Sequence, residues 1–253
     1  RVAPLTTIPL PREQVLDYFG AVQLPVGALV EVALNRRTVP GVVLAATPLK
    51  QAKAAVRKSV RYTLRSIARV VSEKPAITPQ QLELARWVAK YYWAPFGPAL
   101  KLVLPHALAK RPVPLPIAPP DRKRVTPMPR LLWKDDRTAE YVEDIQTALS
   151  TGRQVLLLVP DRAGSGFWQE QLSHAGVPFE AYAAERTPKA LRVVWSRVAT
   201  GEALVVVGTR SAAFLPFTNV GLVIVDDEES SAYKSWDQSP RYDPAAAAHN
   251  PLP

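Results

Sequence analysis

Apolar residues are distributed differently in the two halves of this 253-residue chain. In the second half they come as short solid runs: QVLLLVP (154–160), a brief VPFEAYA (177–183), ALVVVGT (203–209) and VGLVIVD (220–226). Between the runs, residues 138–150, 166–175 and 188–200 carry apolar positions at helical spacing. Buried strands that alternate with helices predict a doubly wound parallel sheet. Ligands of such sheets sit at the carboxyl ends of the strands, where Pro160, Gly208-Thr209 and Asp226 fall.

The first half alternates instead, and to about residue 72 it reads as β-rich. GALVEVAL (27–34) and PGVVLAATP (40–48) flank the polar stretch NRRTV, which predicts a hairpin with Arg36 and Arg37 at its tip. Such a tip is solvated, or on a basic domain contacts phosphate. Lys53, Arg57, Arg61, Arg65 and Arg69 then recur every fourth residue, which would make a basic stripe on a helix. LRSIARVV fits a strand equally well. We expect any helix to stop before Tyr62 and leave both readings open for the rest. ITPQQLELARWVAKYY is a clearer helix, with Thr78 as cap, Pro79 in the first turn, Gln81 three residues after the cap, and an apolar stripe of Leu82, Ala85, Val88 and Ala89. Trp87, Tyr91, Tyr92 and Trp93 crowd its end, and packing against the β segment is favoured over base stacking. The proline-rich residues 105–130 predict an extended linker. The expected organisation is therefore a β-rich segment 1–104, a linker 105–130 and an α/β segment 131–253.

Composition narrows the class. A 47% hydrophobic content supports real cores, and no run approaches eighteen apolar residues, so neither a membrane span nor a signal peptide is expected. The start, RVAPLTTIPLP, lacks Met and reads as a trimmed or processed end. Zero Cys excludes disulfides and Cys-ligated zinc, and the three scattered His (His106, His174, His249) offer no metal site. These features predict a soluble cytoplasmic protein. The net charge of +10 is uneven: residues 1–111 carry 17 Lys+Arg against 5 Asp+Glu, whereas residues 131–253 carry 11 against 16. A basic front half points to a polyanionic partner.

The run VGLVIVDDEES raises the question of ATP, since an apolar strand that ends in acids holds magnesium in many nucleotide-driven motors. The phosphate cradle such a site needs, G-x-x-x-x-G-K-[ST], is missing. Before the first α/β helix the chain reads LLWKDDRTAEYVEDI, with Lys134-Asp135-Asp136 placing two carboxylates where a triphosphate needs amides and cations. Asp226 could hold a metal, but Asp227 stands where a water-activating Glu is wanted, one methylene too short. Solvation of the acidic loop, Asp226 to Glu229, is favoured over cation binding, and ATP is not expected as a cofactor.

Two stretches, GTRSAAFLPFTNVGLVIVDDEESSAYKSWDQSPRY and LELARWVAKYYWAPFGPALKLVLP, closely resemble the PriA family of primosomal replication-restart helicases. The first resembles G-T-R-S-A-x-F-x-P-F-x-N-L-G-x-I-x-V-D-E-E-H. The second resembles L-A-x-W-x-A-x-Y-Y-x-x-P-x-G-x-x-L-x-x-x-L-P. The resemblance spans nearly the whole chain. It implies an amino-terminal module that binds the 3′ end of a nascent strand, then a winged helix, two RecA-like lobes, a zinc module and a carboxy-terminal domain.

On that resemblance Asp17 and Tyr18 help form the 3′-end pocket, Asn35 stands at a glycine position after the second strand, and Arg65 is the basic residue beyond the hairpin. Tyr18 would stack, Asp17 accept a hydroxyl or base edge, and Arg36, Arg37, Arg61 and Arg65 meet phosphate. Thr209 and Arg210 sit where related helicases touch the nucleic-acid backbone. Tyr233, Lys234, Trp236, Arg241 and Tyr242 resemble the family's aromatic-rich loop, for which DNA contact and packing weigh equally. The departures are large. The family's G-x-T-G-S-G-K-T becomes WKDDRT, with only Arg137 and Thr138 echoing its Lys-Thr, and D-E-E-H becomes Asp226-Asp227-Glu228-Glu229. No counterpart of the winged helix lies between Pro105 and Leu131, and no second lobe or zinc cysteines occur; deletion, disorder and a place outside this sequence are all open for them, and any zinc is expected only outside it.

The expectation is a degenerate RecA-like lobe joined to a DNA-binding domain. Such a protein would mark stalled forks for primosome reloading together with single-strand-binding protein and helicase-loading proteins, without ATP hydrolysis. An active 3′-5′ helicase with a divergent nucleotide site, and a non-catalytic scaffold, are the alternatives.

Overall fold

A computed structural model describes residues 1–8, 14–48, 64–115, 128–133, 136–183, 187–235 and 240–244. The chain divides into two compact units, Arg1–Ile117 and Ala118–Pro253.

The first unit is a mixed sheet of β1 (Val2–Pro4), β2 (Tyr18–Phe19), β3 (Ala28–Leu34), β4 (Arg37–Val43) and β5 (Arg65–Pro75) in the order β1-β4-β3-β5-β2. Only the β2–β5 pairing is parallel. Leu16, just before β2, exchanges backbone hydrogen bonds of 2.8 and 2.9 Å with Val2 of β1. One short segment thus pairs with both margins of the sheet and curls it shut. Val2, Val30, Val32, Val39 and Val43 fill the interior, with Tyr18 and Ile67 packed against them.

The hairpin turn is tighter than the sequence reading: Leu34 pairs with Arg37, leaving Asn35 and Arg36 as the turn, with Asn35 at φ 54°. Pro40 caused the misreading, because a proline suits the start of a strand better than its middle; here it pairs with Glu31 inside β4. The ambiguous basic run is a strand of eleven residues from Arg65 onward. Arg65 and Arg69 lie on it, and Arg69 forms an ion pair with Glu31 across β3. Lys53, Arg57 and Arg61 lie outside the described residues.

Among the described residues the unit also has three helices: α1 (Pro79–Tyr91), α2 (Phe96–Val103) and α3 (His106–Lys110). The capping box forms as its sequence requires, with Gln81 N donating to Thr78 Oγ1 and Thr78 N to Gln81 Oε1. Gly97 opens α2 against β1, where a Cβ would stand 2.3 Å from Thr6 O. The first residues of the expected linker are packed, not extended. Leu108, Ala109 and Leu115 are buried, and Leu115 N donates to Pro75 O at 2.9 Å. Apolar residues between the prolines supply that burial.

The second unit is a four-stranded parallel sheet of β6 (Gln154–Leu158), β7 (Glu180–Tyr182), β8 (Val205–Gly208) and β9 (Val220–Val225), in the order β7-β8-β6-β9. Helices α4 (Thr138–Ser150), α5 (Arg162–His174) and α6 (Pro188–Thr200) accompany it. Val155, Leu157 and Val159 pack with Tyr141, Ile145, Trp168 and Leu172 of α4 and α5. Leu156 and Leu158 point the other way and are buried too, as a sheet covered on both faces requires. Helix α5 begins four residues before the expected start, because Asp161 caps it by accepting from Gly164 N. Among the described residues no helix is long and apolar enough to cross a membrane.

Candidate nucleic-acid interface and acid cluster

In the first unit, residues far apart in sequence meet at the hairpin tip. β2 runs beside β5 so that Tyr18 is in register with Arg65. The Tyr18 hydroxyl donates to Ala33 O at 2.9 Å, and Arg65 Nη1 donates to Asn35 O at 3.0 Å. The left-handed backbone of Asn35, which asparagine tolerates, turns its carbonyl toward that guanidinium. Burial raises the Tyr18 phenol above its ordinary range and the nearby Arg65 charge opposes the shift. Asp17, exposed, precedes Tyr18, and the exposed Arg36 and Arg37 follow Asn35. Tyr18, Asn35, Arg36, Arg37 and Arg65 therefore share the hairpin-tip neighbourhood, whereas Asp17 falls on the opposite face of its segment from Tyr18, where the amino terminus of Arg1 feels its charge. Arg61 lies outside the described residues.

Two aromatic features depart from the sequence expectation, Phe19 because it was not singled out and the group at the end of α1 because core packing was expected for it. Phe19, on the opposite face of β2 from Tyr18, is half exposed. The aromatic group at the end of α1 is not core: Trp87 and Tyr91 stack with centroids 4.8 Å apart, Tyr91 is 54% exposed and Trp93 is 96% exposed at φ 50°. The buried face of α1 is Leu82, Leu84, Ala85 and Val88, and it packs beside α2, while the aromatic residues gather at its carboxyl end.

In the second unit the four acids after β9 separate by environment. Asp226 is buried, 7% exposed, whereas Asp227, Glu228 and Glu229 are exposed. The solvated loop expected for all four therefore fails for Asp226. Arg137, immediately before α4, donates to Asp226 Oδ1 at 3.1 Å and to Asp227 Oδ1 at 2.7 Å. Trp168 Nε1 of α5 donates to Asp226 Oδ2 at 2.7 Å. The buried Tyr233 hydroxyl donates to the Asp226 backbone carbonyl at 2.6 Å, and Asp226 N donates to Leu158 O.

The ring of Tyr141 stacks on Trp168 at 5.0 Å. Burial, and next the Asp226 charge, push its phenol up to about 12. Burial is also the first reason that Tyr233 holds its proton far more tightly than a free phenol. Beside this cluster lies a cavity of about 480 Å³ lined by Asp136, Arg137, Thr138, Phe167, Trp168, Gln171 and Asp226. Asp136 accepts from Thr138 N at 2.9 Å, and Lys134 and Asp135 lie outside the described residues. Trp168 was missed in the sequence, where its only signal is a large aromatic with an N–H that burial obliges to find an acceptor.

The aromatic-rich loop divides in the same way. Tyr233 is fully buried, and Tyr242 is buried edge-on against Phe214, so both are packing residues. Lys234 and Arg241 are exposed. Arg210 Nη1 donates to Lys234 O at 3.4 Å, which ties the strand-end loop carrying Thr209 to this one. Trp236 lies outside the described residues.

The chain thus consists of a curled, basic β module and a parallel α/β unit with an acidic strand end. Residues 6–105 match the sequence model described as the PriA 3′DNA-binding domain (3′BD). Proteins named replication restart protein PriA are similar over most of the chain. That of Rickettsia prowazekii is 26% identical over 245 residues, 88% of this chain and 36% of its own length. That of Helicobacter pylori is 30% identical over 246 residues, 90% and 37%. A Haemophilus influenzae protein of that name is 34% identical over 105 residues, 40% and 14%. The chain is PriA-like, and it spans about a third of the length of the first two relatives.

Proposed function

We propose that this chain belongs to a replication-restart protein that binds branched DNA at stalled forks and nucleates primosome reloading, without ATP hydrolysis or unwinding. The reading is supported by the pairing of Tyr18 with Arg65 and the Arg65–Asn35 hydrogen bond at the hairpin tip, with Asp17 next to Tyr18 in sequence, inside the span that matches the 3′DNA-binding domain. A terminal nucleotide set there finds an aromatic wall in Tyr18 and cations for its phosphates in Arg65, Arg36 and Arg37, and Asp17 is on this reading the acceptor beside it. The second unit is, on this reading, a RecA-like helicase lobe whose nucleotide site has degenerated. Thr209, Arg210, Lys234 and Arg241 supply its DNA-facing edge. No cofactor is assigned to this chain. Single-strand-binding protein and helicase-loading proteins are the expected partners, in the bacterial cytoplasm.

The test compares binding to a fork with a 3′ nascent end at the branch and to the same fork without it. Salt-sensitive binding that prefers the 3′ end, weakened by Asp17→Ala or Tyr18→Ala, is expected. Equal affinity for both forks would remove the pocket assignment. ATP turnover stimulated by forked DNA would instead favour an active helicase, and no DNA binding at moderate salt would favour a scaffold.

A further inference from the structure

The acids at the end of β9 are engaged from inside the protein. We infer that the Arg137 guanidinium serves as a built-in cation for Asp226 and Asp227, taking the place a divalent metal would need and holding α4, α5 and the end of β9 together without nucleotide. This goes beyond the fork-binding reading and does not depend on it.

Three observations converge. Both carboxylate oxygens of Asp226 are used, Oδ1 by Arg137 and Oδ2 by Trp168, and the nearest carboxylate, Asp227, also accepts from Arg137. Magnesium asks for near-octahedral oxygen ligands at about 2.0–2.1 Å and keeps several waters. A metal at this carboxylate would have to evict an indole and a guanidinium and then sit beside the displaced positive charge. The donors are also hard to move, because Trp168 is almost wholly buried in the core and stacked on Tyr141. The cavity wall itself is unsuited to a triphosphate: Asp136 and Asp226 line it against a single guanidinium, and none of its lining residues is a glycine. The residues present therefore do not fit a magnesium nucleotide.

The arrangement has a mechanical meaning. Arg137 precedes α4, Trp168 is on α5, and Asp226 ends β9, so the contacts link three elements around one carboxylate. A nucleotide-driven lobe changes such contacts with each turnover. Here the cation is covalently part of the chain and cannot leave, so the link between the three elements does not depend on a bound ligand.

The experiment is thermal unfolding of the whole chain with and without millimolar MnCl2, paired with Mn2+ binding measured by electron paramagnetic resonance. Wild type is expected to bind no Mn2+ and to show no shift in Tm. Arg137→Gln is expected to unfold several degrees lower, to bind Mn2+ and to recover part of the loss on its addition, and Arg137→Gln/Asp226→Asn to bind none. Mn2+ binding by wild type that Asp226→Asn abolishes would overturn the inference. So would a folded Arg137→Gln with unchanged Tm and no gain in Mn2+ binding. Should Arg137→Gln fail to fold, the wild-type titration still decides, and Arg137→Lys, which keeps the charge, is expected to stay metal-free; Mn2+ binding by it overturns the inference. Fork binding by the same proteins is read separately, so either reading can fail while the other stands.

Discussion

The indole N–H of Trp168 donates to the Asp226 carboxylate at 2.7 Å, 58 residues along the chain and across the packed face of the sheet. Replacing it with Phe keeps the ring stack on Tyr141 but removes the shortest hydrogen bond to a buried carboxylate. Trp168→Phe is therefore expected to cost about 1–3 kcal/mol, the penalty for a buried group that loses a partner. Urea unfolding followed by circular dichroism measures it, and fork affinity is expected to be unchanged.

Arg65 carries its charge at the hairpin tip with one N–H committed to Asn35 O. Loss of a phosphate-facing cation lowers affinity evenly across sequences and reduces the slope of log K against log salt by about 1. Arg65→Ala is expected to do both in a fluorescence-anisotropy salt series. Arg69→Ala, whose guanidinium is paired with Glu31, is expected to change the slope less.

Gly97 packs against the backbone of the first residues, with its missing Cβ aimed 2.3 Å from Thr6 O and 2.6 Å from Pro4 O. Both obstacles are backbone, which cannot swing aside. Gly97→Ala is expected to destabilise the first unit by about 1–3 kcal/mol, the usual cost of overpacking, while Gly166→Ala, which meets nothing within 4 Å, is not expected to clash. Differential scanning calorimetry of the two variants separates these outcomes.

Tyr141 and Tyr182 are held protonated by burial, each with its phenol pushed from 10.0 up to about 12. Above pH 10 the unfolded chain loses these protons while the folded chain keeps them, so stability is flat below that pH and falls as pH rises toward 12. Tyrosinate absorbance in the native protein is expected to show a late fraction near pH 12. Tyr182→Phe is expected to reduce that fraction and flatten the alkaline loss of stability.

How much of this the sequence discloses depends on the range of the interactions. The parallel sheet is legible because QVLLLVP and ALVVVGT supply its central strands, buried on both faces and therefore solidly apolar, a local signal. The cap at Thr78 is legible because its partner, Gln81, is three residues away. The run LRSIARVV is not, because a charge every fourth residue and an alternation of side chains coexist in it, and only pairing with β3 decides for the strand. The fate of the acids is the furthest from local. Asp226 and Arg137 stand 89 residues apart, and nothing near DDEES announces that its first carboxylate is already satisfied. The tip site falls between these cases: Tyr18, Asn35 and Arg65 are each suggestive alone, but their meeting depends on the parallel β2–β5 pairing.

The few residues from Leu16 to Phe19 are at once the clasp of the curled sheet and the carrier of Asp17 and Tyr18. A substitution that reshapes what these residues grip also tugs on the fastening that keeps the barrel wall closed. Affinity and closure are therefore not independently adjustable along this stretch. A bound DNA end should make the clasp slower to open, which would be visible as slowed amide exchange at Leu16 and Val2, whose amides face each other rather than the ligand.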